Sequence, residues 1–199
     1  LNYSTVVDDD DHHHPPVPDA RWIHDLGFQQ SDPVTDFRSG GILSLALMVW
    51  IVESCPRVFT RYCDGGDAAV LPFGITSINI TDMLAKFLML SKKTDRMDAL
   101  LSQKPFWNMF GDPSAILAVQ EIGLDLLADV VVELKEEKVV TVFDFAKILK
   151  ITEHRVEYDL LGAGPVNVMD LRRIHKTLKA KYWNERQQQK TTTTEPTKK

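Results

Sequence analysis

Residues 22–38 read Trp-Ile-His-Asp-Leu-Gly-Phe-Gln-Gln-Ser-Asp-Pro-Val-Thr-Asp-Phe-Arg. Within these 17 residues the stretch combines an aromatic anchor, a glycine turn, an Asp-Pro turn and a charged pair. It does not show the regular apolar spacing of an ordinary core helix, and it ends just before the most apolar run of the sequence. The start of the stretch is predicted to form a short helix that Asp19 caps, that carries Trp22, Ile23 and Leu26, and that Gly27 closes.

The chain around this stretch has helical periodicity. A helix from about 42 to 54 is apolar nearly all round, which predicts the central buried helix of the fold, and Pro56 ends it. Asn79 is expected to cap a second helix. One buried face of that helix is predicted to carry Ile80, Met83, Leu84, Phe87 and Leu88.

Three further helices are predicted. The first follows Asp112-Pro113 and reaches about 134. The second begins where Thr141 and Asp144 have the spacing of a capping box, and the last runs from Pro165 to about 185. Strand-type alternation is nowhere sustained, so the predicted class is all-α. The residues expected in the core are Trp22, Leu47, Trp50, Phe87 and Leu127.

Composition indicates a single domain. The 199 residues are 44% apolar, which suffices for one compact multi-helix domain. We place that domain at 19–186, between disordered tails at 1–18 and 187–199. The first tail contains runs of aspartate, histidine and proline, and the second is rich in Gln and Thr, so neither offers a core. Cys55 and Cys63 form no CxxC pattern and are expected to be free thiols.

Charge is distributed unevenly along the chain. From Pro165 onward, nine Lys/Arg and three Asp/Glu give a net charge of +6. Because the whole chain has a net charge of −5, the residues before Pro165 carry −11. An acidic body argues against a nucleic-acid binder. The basic end fits either a solvated helix end or contact with an anionic membrane or acidic partner. With no secretory signal and no run long enough to span a bilayer, we expect a cytoplasmic protein, peripheral on a membrane if the basic end binds one.

The motifs of common catalytic sites are missing from the sequence. It has no GxxxxGK[ST] phosphate loop, no GxSxG elbow and no HExxH pair. The histidine run at 12–14 has no rigid scaffold, so we do not expect a dedicated metal site. These observations favour a protein without covalent chemistry of its own.

The stretch at 22–38 resembles the signature of the ELMO domain family, which is a Trp, three residues, Leu-Gly-Phe-Gln, a short gap and Asp-Pro-x-Thr-Asp-Phe-Arg. The matching residues are Trp22, Leu26, Gly27, Phe28, Gln29, Asp32, Pro33, Thr35, Asp36, Phe37 and Arg38. Residues 71–81 resemble a second family segment, and Asp144-Phe145 resembles a weaker third. Where the family usually has Arg-Gly-x-Gly, this chain has Arg38-Ser39-Gly40-Gly41.

The resemblance implies an all-helical fold and two alternative functions. Short members activate GTP hydrolysis by Arf-family small GTPases, including Arf-like ones, and rely on the Arg of the motif. Long members lack that Arg and serve Dock-type exchange factors as partners. This chain is short and has the Arg, so we expect a GTPase activator. The alternative is a non-catalytic adaptor that binds a Dock-type exchange factor or a membrane-bound partner.

Arg38 is the expected arginine finger. A guanidinium supplied in trans binds two phosphate oxygens at once, which in known cases accelerates hydrolysis by about 10³–10⁵. The partner GTPase supplies GTP and Mg²⁺, so this chain is expected to hold neither a cofactor nor a metal. Asp36, Gln29, Asp32 and Thr35 are assigned as binding or supporting residues.

The predicted setting of Arg38 is electrostatically awkward. A cation near the N-terminus of a helix faces the positive end of the helix dipole, which costs up to about 1 kcal/mol. Either a structural pair with Asp36, Asp32 or Asp25 compensates, or these carboxylates aim the side chain outward. Gln29 either holds the turn as a buried residue or imitates a water-orienting Gln.

Overall fold

The computed structural model describes residues 18–90 and 105–193, and every regular element in these two ranges is helical. This confirms the all-α class. The α-helices are α1 (Arg21–His24), α2 (Gly41–Ser54), α3 (Pro56–Phe59), α4 (Phe73–Phe87), α5 (Ala115–Glu137), α6 (Phe145–His154) and α7 (Val168–Thr193). Short 3₁₀ segments cover Pro33–Arg38, Pro105–Gly111 and Val142–Asp144, and a π-helical segment covers Arg155–Leu161.

The central helix of the core is α5. Residues on nearly all of its sides are buried, including Leu124, Leu127 and Val131, because α2, α4, α6 and α7 all pack against it. The prediction that α2 is the central buried helix is wrong. Its buried residues are only Ser44, Leu47, Met48 and Ile51.

The start of α4 also differs from the prediction. The helix begins at Phe73, directly after an extended Pro72, rather than at Asn79. Asn79 lies inside the helix, where its side-chain amide donates to the carbonyl of Ile75 at 2.8 Å. The predicted buried face is confirmed, because Ile80, Met83, Leu84, Phe87 and Leu88 are all buried.

Other local predictions are largely confirmed. Thr141 and Asp144 form the capping box ahead of α6, and both cysteines are free. Of the predicted core residues, Leu47, Phe87 and Leu127 are buried. Trp22 and Trp50 are only partly buried and pack against the rim of the core, because the elements beside them do not cover their whole indole surface.

The C-terminal helix is longer than predicted. The sequence indicated a disordered tail from residue 187 onward. In the structure α7 continues to Thr193, so residues 187–193 are helical. Residues 1–17 and 194–199 lie outside the described residues, and the predicted tails there stay predictions.

The basic helix α7 packs on α5 through leucines and ion pairs. Leu171 and Leu178 are buried, while basic side chains meet a row of carboxylates on α5. The closest pairs are Arg172–Glu121 at 2.6 Å, Lys179–Asp125 at 2.6 Å, Lys179–Asp129 at 3.0 Å and Lys190–Glu136 at 2.9 Å. Much of the positive charge that indicated a membrane contact therefore binds carboxylates of the same chain, and that contact remains a prediction. None of the described helices is long and apolar enough to cross a bilayer.

Candidate functional site

The segment from Trp22 to Arg38 is built around Phe28. This phenylalanine is buried, with 3% of its surface exposed. Its ring lies between Trp22, at 6.0 Å between centroids, and Phe37, at 5.6 Å. Contacts with the buried Phe28 therefore hold both ends of the segment, at Trp22 and Phe37, against the same part of the core.

This segment rests on the start of α4. Gly27 adopts a φ of +72°, and a Cβ at this position would lie 2.4 Å from the Cβ of Pro72, so no other residue fits without displacing the contact. The neighbouring carbonyl of Leu26 accepts a hydrogen bond from the amide of Gly74 at 2.6 Å. The structure thus brings together the two sequence segments, 22–38 and 71–81, that carry the family resemblance.

Two carboxylates hold the turn before Arg38. Asp32 occupies the N-cap of Pro33–Arg38 and accepts from the amide of Val34 at 3.0 Å. The hydroxyl of Thr35 donates to the carbonyl of Asp32 at 3.3 Å. Asp36 accepts from the amide of Gln29 at 3.0 Å, which ties the two halves of the segment together. Asp32, Thr35 and Asp36 therefore stabilise the backbone next to Arg38, and the side chains of the two aspartates bind amides rather than the guanidinium.

Arg38 lies at the end of this turn with its side chain exposed. Among the residues that the structure describes, it has no hydrogen bond and no ion pair. As the sequence indicated, it lies close to a helix start, two residues ahead of the Gly40 N-cap of α2, but it also belongs to the last turn of Pro33–Arg38. The carbonyl end of a helix favours a cation. The expected electrostatic cost is therefore smaller than the sequence indicated.

Ser39 fits the place where the family usually has a glycine. Its φ of −82° and ψ of −45° are helical values that any residue adopts. The left-handed backbone falls at Gly41 instead, with φ of +54°. The departure from the family pattern therefore leaves the turn beside Arg38 unstrained.

Gln29 is exposed rather than buried. Its backbone amide, and not its side chain, makes the contact with Asp36 that holds the turn. The expectation of a buried turn-holding Gln is therefore wrong in its burial, and the side-chain amide is open to a partner.

An apolar surface that the sequence analysis missed lies beside Arg38. Four side chains of α2 are exposed, with Ile42 at 79%, Leu45 at 39%, Val49 at 44% and Val52 at 38%. Their spacing of three, four and three residues places them on one side of the helix. We call these four residues the α2 stripe. The only sequence signal for it was the excess of apolar residues in α2, which exceeds what one buried face needs.

A cluster of charged side chains lies where the chain after α3 meets α5 and α7. Arg61 contacts Asp125 at 2.5 Å, Asp129 at 2.8 Å and Asp67 at 2.9 Å. Burial would lower the pKa of Arg61, but the three carboxylates outweigh it and raise that pKa. Every charge in this cluster has an opposite partner, which is the arrangement of a structural network. Within the described part of the chain, no His, Cys, Asp and Glu side chains are grouped so that they could hold a metal ion.

Comparison with known proteins gives a match at the level of a protein family. The chain matches no curated protein and no solved structure. A family model described as the ELMO/CED-12 family matches residues 8–149. The match includes the Arg38 turn, the start of α4 and all of α5, and it ends inside α6, so α7 lies outside it. The chain therefore belongs to the ELMO/CED-12 family, whose members are regulators and adaptors.

Proposed function

We propose that this protein accelerates GTP hydrolysis by an Arf-family small GTPase and that Arg38 is the arginine it inserts. The observation that carries the proposal is the exposure of the Arg38 side chain and its lack of a partner within the described residues. This side chain lies at the end of a turn held by Asp32 and Asp36. A structural arginine would instead be expected to bind a nearby carboxylate.

The chemistry asked of Arg38 is electrostatic. GTP hydrolysis places charge on the phosphate oxygens and the bridging oxygen in the transition state, and a planar guanidinium can bind two of these oxygens together. The GTPase supplies GTP, Mg²⁺ and the residue that orients water. This chain supplies a positive charge at a defined position, and it forms no covalent bond to the substrate.

An adaptor that binds a partner without activating hydrolysis is the second candidate. The α2 stripe favours it, because an exposed apolar surface is a common feature of protein-binding sites whether or not catalysis follows. A Dock-type exchange factor is the partner that the family resemblance implies for such an adaptor.

Single-turnover GTP hydrolysis by a panel of Arf and Arf-like GTPases, with and without this protein, distinguishes the two candidates. The activator predicts that at least one GTPase hydrolyses GTP about 10³-fold faster when the protein is present. If the whole panel is unaffected while the protein binds an exchange factor, the adaptor is correct and the activator is not.

A further inference from the structure

The α2 stripe is unusual because the rest of α2 offers only one charged side chain to offset it. Glu53 is the one charged residue between Gly41 and Ser54. Ile42, at the start of the stripe, exposes 79% of its surface. Soluble proteins seldom leave a contiguous apolar surface open unless it binds something.

A second exposed apolar group exists at the opposite end of α5. Val139 and Phe143 are 86% and 93% exposed in the connection to α6. The start of α2 lies near Gln120 of α5. Gly40, the N-cap of α2, approaches the side chain of Thr81, and the hydroxyl of Thr81 donates a hydrogen bond to Gln120. From Gln120 to the end of α5 is about 25 Å at 1.5 Å per residue. The two apolar groups are therefore separate surfaces.

What distinguishes the α2 stripe is its continuity with Arg38. Arg38 and Ile42 are only four positions apart in the sequence, so their Cα atoms lie within about 14 Å. A specific interface covers about 800 Å² on each partner, which is a patch about 30 Å across. A protein that receives the guanidinium of Arg38 near the centre of such an interface therefore also covers the start of α2.

We propose that the α2 stripe is the docking surface for the GTPase that receives Arg38, an inference that rests on the proposed function. The partner must then present an apolar surface beside its nucleotide. The two parts of the site divide the work. The stripe holds the partner in the ground state and the transition state alike, while Arg38 acts only on the transition state.

This division makes a kinetic prediction. A contact made equally in both states sets the concentration at which the activator saturates, whereas a contact made only in the transition state sets the maximal rate. Changes in the stripe should therefore raise the half-saturating concentration and leave the maximal rate alone.

The test measures single-turnover GTP hydrolysis against increasing concentrations of this protein, with Val49→Asp, the milder Leu45→Ser and the control Phe143→Asp. Thermal melting establishes that each variant is folded. Binding of the same GTPase loaded with a non-hydrolysable GTP analogue is measured in parallel. Both stripe variants should raise the half-saturating concentration and the Kd at least about tenfold, and Phe143→Asp should change neither.

The outcomes separate the docking inference from the proposed function. If hydrolysis is stimulated but the folded stripe variants saturate like the wild type, the docking inference is wrong and the activator stands. If the GTPase binds through the stripe without faster hydrolysis, the activator is wrong and the docking surface stands. If the wild type is a dimer that Val49→Asp dissociates into a more potent activator, a second copy occupies the stripe and the inference is overturned.

Discussion

At the scale of single residues, the side chains around Arg38 act on the backbone. Asp36 spans seven residues to accept from the amide of Gln29 at 3.0 Å, and this bond closes the segment. The sequence assigned Asp36 as a supporting residue of the site, and that assignment stays a prediction. It could not predict the partner, because a carboxylate near an arginine can bind either that arginine or an amide that folding brings close.

We expect Asp36→Asn to lower the melting temperature by about 2–4 °C. The neutral amide can still accept a hydrogen bond, so only the charge-assisted part, about 1 kcal/mol, is lost. Thermal melting followed by circular dichroism measures the change. The matched control is Asp25→Asn, because the carboxylate of Asp25 is exposed and makes no hydrogen bond within the described residues. Equal losses in both variants would contradict the role given to Asp36.

At the scale of elements, α2 shows what apolar periodicity can and cannot predict. The sequence placed the helix within one residue of its observed bounds, Gly41–Ser54, because Gly40 and Pro56 flank an uninterrupted helix-forming run. Its position in the fold was wrong. Hydropathy measures how apolar a helix is, but the number of covered sides depends on how its neighbours pack.

Two leucines on α2 test this assignment directly. Leu47 is 1% exposed and Leu45 is 39% exposed. Leu47→Ala should cost about 2–5 kcal/mol, because it removes buried surface and leaves a cavity. Leu45→Ala should cost about 0.5 kcal/mol, as surface changes do. Urea unfolding measures both, and equal large losses would mean that α2 is covered on all sides.

At the scale of the whole molecule, charges that are segregated in the sequence are paired in the fold. The composition predicted an acidic body and a basic end, and carboxylates recur every four residues along α5 from Glu121 to Glu137. That the two meet could not be predicted, because helical periodicity does not say which surfaces of two distant helices face each other. Arg172 and Lys179 on α7 meet Glu121 and Asp125 on α5.

Asp125 makes this interface sensitive to acid. Burial alone would raise the pKa of Asp125, but the His175 imidazole at 3.3 Å, the hydrogen bond from Lys179 and the charge of Arg61 outweigh it and hold the pKa well below its usual range. A lowered pKa stabilises the fold above the pKa of an unfolded aspartate, about 4, and this contribution is lost as the pH falls below that value.

The free energy of unfolding should therefore decrease as the pH falls from about 5 to 2. Asp125→Asn should lower stability at neutral pH by about 2 kcal/mol, because Arg61 and Lys179 each lose one of their carboxylate partners. It should also flatten the acid part of the profile. Urea unfolding at several pH values measures both effects, with the exposed Asp64→Asn as control. If the free energy of unfolding of Asp125→Asn keeps the full wild-type pH dependence, the acid sensitivity comes from carboxylates other than Asp125.

The measurement that tests the central claim most directly is the single-turnover rate constant of GTP hydrolysis by a responsive Arf-family GTPase, at saturating wild-type protein and at saturating Arg38→Lys. Lysine keeps the charge but cannot bind two phosphate oxygens as a planar fork. We predict a decrease of about 10² or more in the rate constant. The melting temperature should stay within about 2 °C, because the exposed Arg38 has no partner in the described structure. Arg57→Lys, at an exposed arginine beyond the far end of α2, should leave the rate constant unchanged. A folded Arg38→Lys variant that activates at the full wild-type rate would contradict the account.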